Sequence, residues 1–83
     1  IINNYIHDVE NIPLFVSQSS NENIISNNTI MGDSFYGAVY VQGSNYNTIS
    51  GNTFYNYTGI ELQSSINNTV SGNSFYNCSG YGI

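Results

Sequence analysis

An internal repeat every 21–24 residues, apolar side chains alternating with polar ones, and turns built from Asn, Ser and Gly predict an all-β chain wound as a parallel solenoid. The segment NTISGNTFYNYTGIEL at 47–62 returns as NTVSGNSFYNCSGYGI at 68–83, and looser copies stand at 23–31 (NIISNNTIM) and 1–7 (IINNYIH). Four units follow, approximately 1–22, 23–46, 47–67 and 68–83. They make residues 1–83 a single solenoid domain or a segment of a longer one.

Each unit is expected to hold three short strands. The first carries the apolar pairs Val39/Val41, Ile60/Leu62 and Tyr81/Ile83, with Leu14/Val16 as the least regular copy. The second centres on Ile1, Ile25, Ile49 and Val70, and the third on Ile6, Ile30, Phe54 and Phe75. In Gly59-Ile60-Glu61-Leu62-Gln63 the alternation has period two, which points successive side chains to opposite faces of a strand. A helix is excluded because Gly and Asn interrupt every window and β-branched and aromatic residues dominate the apolar set.

Between the second and third strands stand Asn4, Asn28, Asn52 and Asn73. An Asn that points inward at such a turn can bond the same Asn one coil away, at the strand spacing of about 4.8 Å. These four are the predicted structural ladder. The residues before them, Asn3, Asn27, Gly51 and Gly72, are the types that tolerate positive φ, so the turn is expected to be left-handed. The connection that contains 32–37 is about three residues longer than the one that contains 56–59, as expected of an outer loop.

Composition narrows function. The chain has no Lys and no Arg, five acidic residues and a formal net charge of -5. It cannot neutralise phosphates, so nucleic acid is not an expected partner, and phosphoryl transfer lacks its usual cation. One Cys cannot close an internal disulfide. No apolar run reaches the ~18–20 residues of a membrane span, so no membrane insertion is expected. Eleven Ile and twelve Phe or Tyr argue against disorder.

The N-T-[IV]-S-G-N-x-F-Y-N core, present twice in full, resembles the right-handed parallel β-helix repeat superfamily, in particular NosD-type and archaeal adhesin-like surface proteins. The resemblance covers nearly the whole chain and implies a right-handed coil. It implies less about function, because the superfamily includes lyases, hydrolases, adhesins and tailspikes.

The carboxylates Asp8, Glu10, Glu22, Asp33 and Glu61 fall in different columns, so no pair is brought together for acid–base chemistry and no enzyme is expected. His7 and Met31 share an outward column continued by Tyr55 and Tyr76. NosD-type proteins are associated with copper-site maturation, but two ligands without a third do not make a site; the column reads more simply as an exposed ladder, and no metal or cofactor is expected. Cys78, aligned with Tyr57, reads as a quiet turn residue. Sequons begin at Asn27, Asn56, Asn67 and Asn77. Asn27 lies at the left-handed turn and Asn56 and Asn77 read as a second stacked pair, which leaves Asn67 as the credible glycan site. Tyr36, Tyr40, Tyr46, Tyr55, Tyr57 and Tyr76 are expected outside, where they suit sugars or another protein surface as well as they suit covering the strands.

Neither end carries a cap or a Lys, and Ile83 would end a first strand where Ile1 begins a second one. Head-to-tail stacking through Ile1, Ile2, Tyr81 and Ile83 would then continue the coil as a filament. The expected function is a non-enzymatic, extracellular or cell-surface structural or adhesive solenoid, with itself or the neighbouring coils of a longer chain as partner. The alternative is a carbohydrate-binding or carbohydrate-processing β-helix, with glycans as partners.

Overall fold

The computed structural model describes residues 1–7, 12–32, 37–56 and 59–77, and every regular element among them is a strand. In chain order these are β1 (Tyr5–Ile6), β2 (Leu14–Ser17), β3 (Ile24–Ser26), β4 (Thr29–Met31), β5 (Val39–Gln42), β6 (Thr48–Ser50), β7 (Thr53–Tyr55), β8 (Ile60–Gln63), β9 (Thr69–Ser71) and β10 (Ser74–Tyr76). No helix among the described residues is long and apolar enough to cross a membrane.

The strands pair in parallel into three sheets, β1-β4-β7-β10, β2-β5-β8 and β3-β6-β9, so each circuit of the chain adds one strand to each sheet. This is the three-strand coil the repeat requires. The strands are three or four residues long, with β1 shorter, because a left-handed residue follows or closely precedes most of them.

The register matches like with like: Ile25 pairs with Ile49 and Ile49 with Val70, Ile30 pairs with Phe54 and Phe54 with Phe75, and Leu14 and Val16 pair with Val39 and Val41. Ile1 joins the second column through its carbonyl, which accepts the Ser26 N–H at 3.0 Å. Ile25, Ile30, Val39, Val41, Ile49 and Phe54 are fully buried, and Val70 and Phe75 pack partly buried against them. Phe54 and Phe75 stack with centroids 5.2 Å apart. Each such side chain contributes roughly 1.5–3 kcal/mol through removal from water. Tyr81 and Ile83, the fourth copy of the first strand, lie outside the described residues.

Length differences between coils are absorbed between strands. Met31 pairs with Tyr55, 24 residues on, while Val39 pairs with Ile60, 21 on, so three extra residues lie between β4 and β5 as the sequence predicted. A smaller irregularity was not anticipated. Leu14 pairs with Val39, 25 residues on, and Ile25 with Ile49, 24 on, so the first coil has one extra residue between β2 and β3. It is taken up at Gln18 and Ser19, which are both left-handed (φ 56° and 64°).

The turn between the second and third strands is left-handed in every copy: φ is 59° at Asn3, 55° at Asn27, 64° at Gly51 and 62° at Gly72. A Cβ on Gly51 would also lie 2.6 Å from the Asn27 side-chain oxygen, whereas at Gly72 the nearest atom is 3.9 Å away. Gly72→Asn is therefore expected to be nearly neutral in urea unfolding, since Asn already fills this position twice, and Gly72→Ala to cost about 1 kcal/mol. Gly51→Ala should cost more than Gly72→Ala because it must also displace the Asn27 amide.

Candidate functional site

The predicted ladder is present, and its two middle members are saturated. Asn52 Oδ1 accepts the backbone N–H of Asn28 at 2.9 Å and its Nδ2–H at 3.0 Å. Asn52 Nδ2 donates to Asn73 Oδ1 at 3.0 Å and to the Ile25 carbonyl at 2.9 Å. Asn28 repeats the pattern, accepting from Asn4 N–H and Nδ2–H and donating to Asn52 Oδ1 and the Ile1 carbonyl. Both side chains are buried to within 1%. A buried amide is tolerated at full hydrogen bonding and costly otherwise, so the ladder locks each coil to the next in one register.

The ladder has a direction. Every backbone N–H and Nδ2–H bond between its members runs from one coil to the Oδ1 of the coil that follows it in sequence. The first-coil edge thus ends on the acceptor Asn4 Oδ1, and the last described coil on donors of Asn73.

Two further inward ladders occupy the corner between the first and second strands, and the sequence reading missed both. In one, Asn23 N–H and Nδ2–H donate to Asn47 Oδ1 at 2.8 and 3.0 Å, and Asn47 N–H donates to Asn68 Oδ1 at 2.8 Å. In the other, Ser20 N–H donates to Ser44 Oγ at 3.1 Å and Ser44 N–H to Ser65 Oγ at 3.0 Å. The residues before the Asn column are Glu22, Tyr46 and Asn67, all left-handed at φ 62°, 59° and 57°. Glu and Tyr are poor left-handed formers, which concealed the turn. This ladder is less complete: Asn68 Nδ2 reaches the Ser44 carbonyl at 3.0 Å, but Asn47 Nδ2 is buried without a partner.

The outer face carries the remaining candidates. Asn77 Nδ2 donates to Asn56 Oδ1 at 2.9 Å, which makes the second stacked pair expected from sequence. Asn27 and Asn67 are exposed. Tyr46 and Tyr76 are more than half exposed, Tyr40 and Tyr55 half-buried, and Tyr36 and Tyr57 lie outside the described residues. Tyr55 and Tyr76 stack at 5.1 Å, and Phe15 meets Tyr40 at the same distance. The Tyr40 hydroxyl donates to Gln63 Oε1, as does Gln42 Nε2. Glu22 and Glu61 are exposed on different coils; Asp8, Glu10, Asp33 and Cys78 lie outside the described residues.

His7 and Met31, which follow the paired residues Ile6 and Ile30, are tied together by Tyr5. Its ring lies 4.7 Å from the imidazole, and its hydroxyl donates to Met31 Sδ at 2.8 Å. Among the described residues no three His, Cys, Asp or Glu side chains converge, so a four-coordinate site for a hard or borderline metal is not formed there.

The saturation of Asn52 makes a measurable difference. Asn52→Ala would strand two donors of Asn28 and take one donor each from the Ile25 carbonyl and the Asn73 oxygen, which keeps only the backbone N–H of residue 52, and should cost about 3 kcal/mol or more. Asn47→Ala, which deletes an amide with an orphaned Nδ2, should cost clearly less in the same thermal unfolding series.

No curated protein and no solved structure matches the chain. A family model described as "Periplasmic copper-binding protein (NosD)" matches residues 1–83, a stretch that contains the three sheets and their Asn corners. The chain therefore belongs to the NosD family of right-handed parallel β-helix proteins.

Proposed function

We propose that this chain is a structural, non-enzymatic part of an extracytoplasmic solenoid, and that its coil edges are completed by further coils, either those of a second copy stacked end to end or those of a longer chain. The observation that carries the reading is the polarity of the Asn ladder, whose first coil offers an acceptor at Asn4 and whose last described coil offers donors at Asn73. A coil laid against either edge finds the complementary group.

The apolar surface of the first coil supports the same reading. Ile1, Ile2, Phe15 and Ile24 are all more than half exposed there. A pocket lined by Ile1, Phe15, Val16, Ser20, Asn23 and Ile25 leaves the interior accessible from that side. An uncovered parallel edge with no Lys to blunt it is a template for another strand. Of the sequence-derived contact residues, Ile1 and Ile2 lie on this edge; Tyr81 and Ile83 belong to the undescribed stretch. The family's description places its members in the periplasm, which agrees with a location outside the cytoplasm.

A carbohydrate-binding role has one observation in its favour, the Phe15–Tyr40 ring pair beside the amides of Gln42 and Gln63 on the outer face of β2-β5-β8. A neutral glycan array would register it, and Tyr40→Ala should abolish any such signal.

Stacking of identical chains has a charge signature. Each copy carries a net charge of -5, so association between copies is opposed at low salt and should strengthen toward about 1 M salt, where the Debye length is near 3 Å. Sedimentation is expected to show chains of increasing mass with salt, and Ile2→Lys or Ile24→Lys should prevent this while leaving the melting of the single chain within about 0.5 kcal/mol. A mass of one chain under all conditions would rule out stacking of copies.

A further inference from the structure

We propose that Asn67 is an N-glycan acceptor and that the first sugar of its glycan packs on the ring of Tyr46, one coil away. Such a glycan requires the extracytoplasmic placement proposed above and does not depend on stacking. Asn67-Asn68-Thr69 is one of four sequons in the chain, so the motif alone selects nothing; the fold does.

The other three acceptors are committed elsewhere. The Asn27 side-chain oxygen lies 2.6 Å from where a Cβ on Gly51 would stand, so that amide is packed over the next coil. Asn77 Nδ2 donates to Asn56 Oδ1 at 2.9 Å, which ties those two amides to each other. Asn67 is exposed, as is the Thr69 that completes its sequon, and among the described residues no side-chain hydrogen bond engages Asn67.

What lies beside Asn67 suits a sugar. Glu22, Tyr46 and Asn67 form the left-handed column at φ 62°, 59° and 57°, and Thr48 pairs with Thr69 two residues on. The same backbone conformation in parallel register sends the Tyr46 and Asn67 side chains outward in the same direction, at the strand spacing of about 4.8 Å. Tyr46 has a coil on either side of it and is still 59% exposed, so this corner faces solvent in the assembled solenoid. The face of an aromatic ring carries partial negative charge, which attracts the axial C–H groups of a pyranose. Ile66, exposed next to Asn67, adds apolar surface at the same corner.

In the transfer, Asn67 Nδ2 bonds to the anomeric carbon of a polyprenyl-pyrophosphate-linked oligosaccharide, and the bond from that carbon to the phosphate oxygen breaks. The pyrophosphate leaves with the electron pair, and a base of the oligosaccharyltransferase takes one Nδ2 proton.

The test is secretion of the full chain, behind a cleaved signal peptide, from a eukaryotic host that glycosylates N-x-[ST], beside the same chain from a bacterial host that does not. With no Lys or Arg for trypsin, cleavage after aromatic residues isolates Asn67 between Tyr57 and Phe75. Hexosamine is expected on that peptide, absent in Asn67→Gln and absent from the peptides that hold the other sequons. The glycosylated chain should melt about 4 °C or more above the bare one. That difference should vanish in Tyr46→Gly, which keeps the left-handed turn and loses the ring. Stacking is read separately, by sedimentation of the bare chain. An unmodified Asn67 in the secreted protein, occupancy at Asn27, Asn56 or Asn77 equal to that at Asn67, or a melting difference that survives Tyr46→Gly would overturn the proposal.

Discussion

A side-chain amide that turns inward at a corner needs four hydrogen bonds there, and Asn28 and Asn52 obtain all four only because adjoining coils present the same amide at the same height. Much else follows from that condition. A one-residue slip between coils would break every bond of the ladder and move the apolar columns of β3-β6-β9 to the wrong face. Extra residues are therefore admitted only where no saturated amide stands, between β1 and β2, between β4 and β5, and at Gln18–Ser19. The last site lies just before the corner of Ser20 and Asn23, where the ladder is less complete and Asn47 Nδ2 is left unpartnered.

Inside, then, the coil is closely specified; outside, it is free to vary. The outward residues of β4-β7-β10 run from Met31 to Tyr55 to Tyr76, and those of β2-β5-β8 from Phe15 to Tyr40 to Glu61. Backbone ladders and inward side chains hold the fold, so these positions can carry recognition or ligand chemistry with little effect on stability. The contact of Tyr5 with Met31 and the convergence of Tyr40 and Gln42 on Gln63 are both of this kind. They arise from residues far apart in sequence that the coil spacing brings within contact.

The repeat motif made much of this legible. Asn52 and Asn73 could be read because Gly51 and Gly72 announce a left-handed turn immediately before them. Asn47 could not, because the residue before it is Tyr46, whose left-handed φ of 59° is imposed by tertiary contacts against its own preference. Backbone bonds across coils hold it there, with Tyr46 N–H donating to the Ile66 carbonyl at 3.4 Å and Thr48 N–H to the Asn23 carbonyl at 2.8 Å. The Ser20–Ser44–Ser65 ladder was hidden for a related reason: Ser is too common on the surface of this chain for one column to stand out.

By itself the sequence determined the coil: its length, its three strands, its inward apolar columns and the principal Asn corner. A repeat of 21–24 residues with period-two alternation has few other ways to bury its Ile, Val and Phe side chains. Only the tertiary structure decided which polar groups are saturated and which outer side chains meet. Hydrogen-bond completeness at Asn47 and the contact of Tyr5 with both His7 and Met31 depend on the height and rotation of one coil against the next. That alignment is set jointly by all three sheets, and no single repeat contains it.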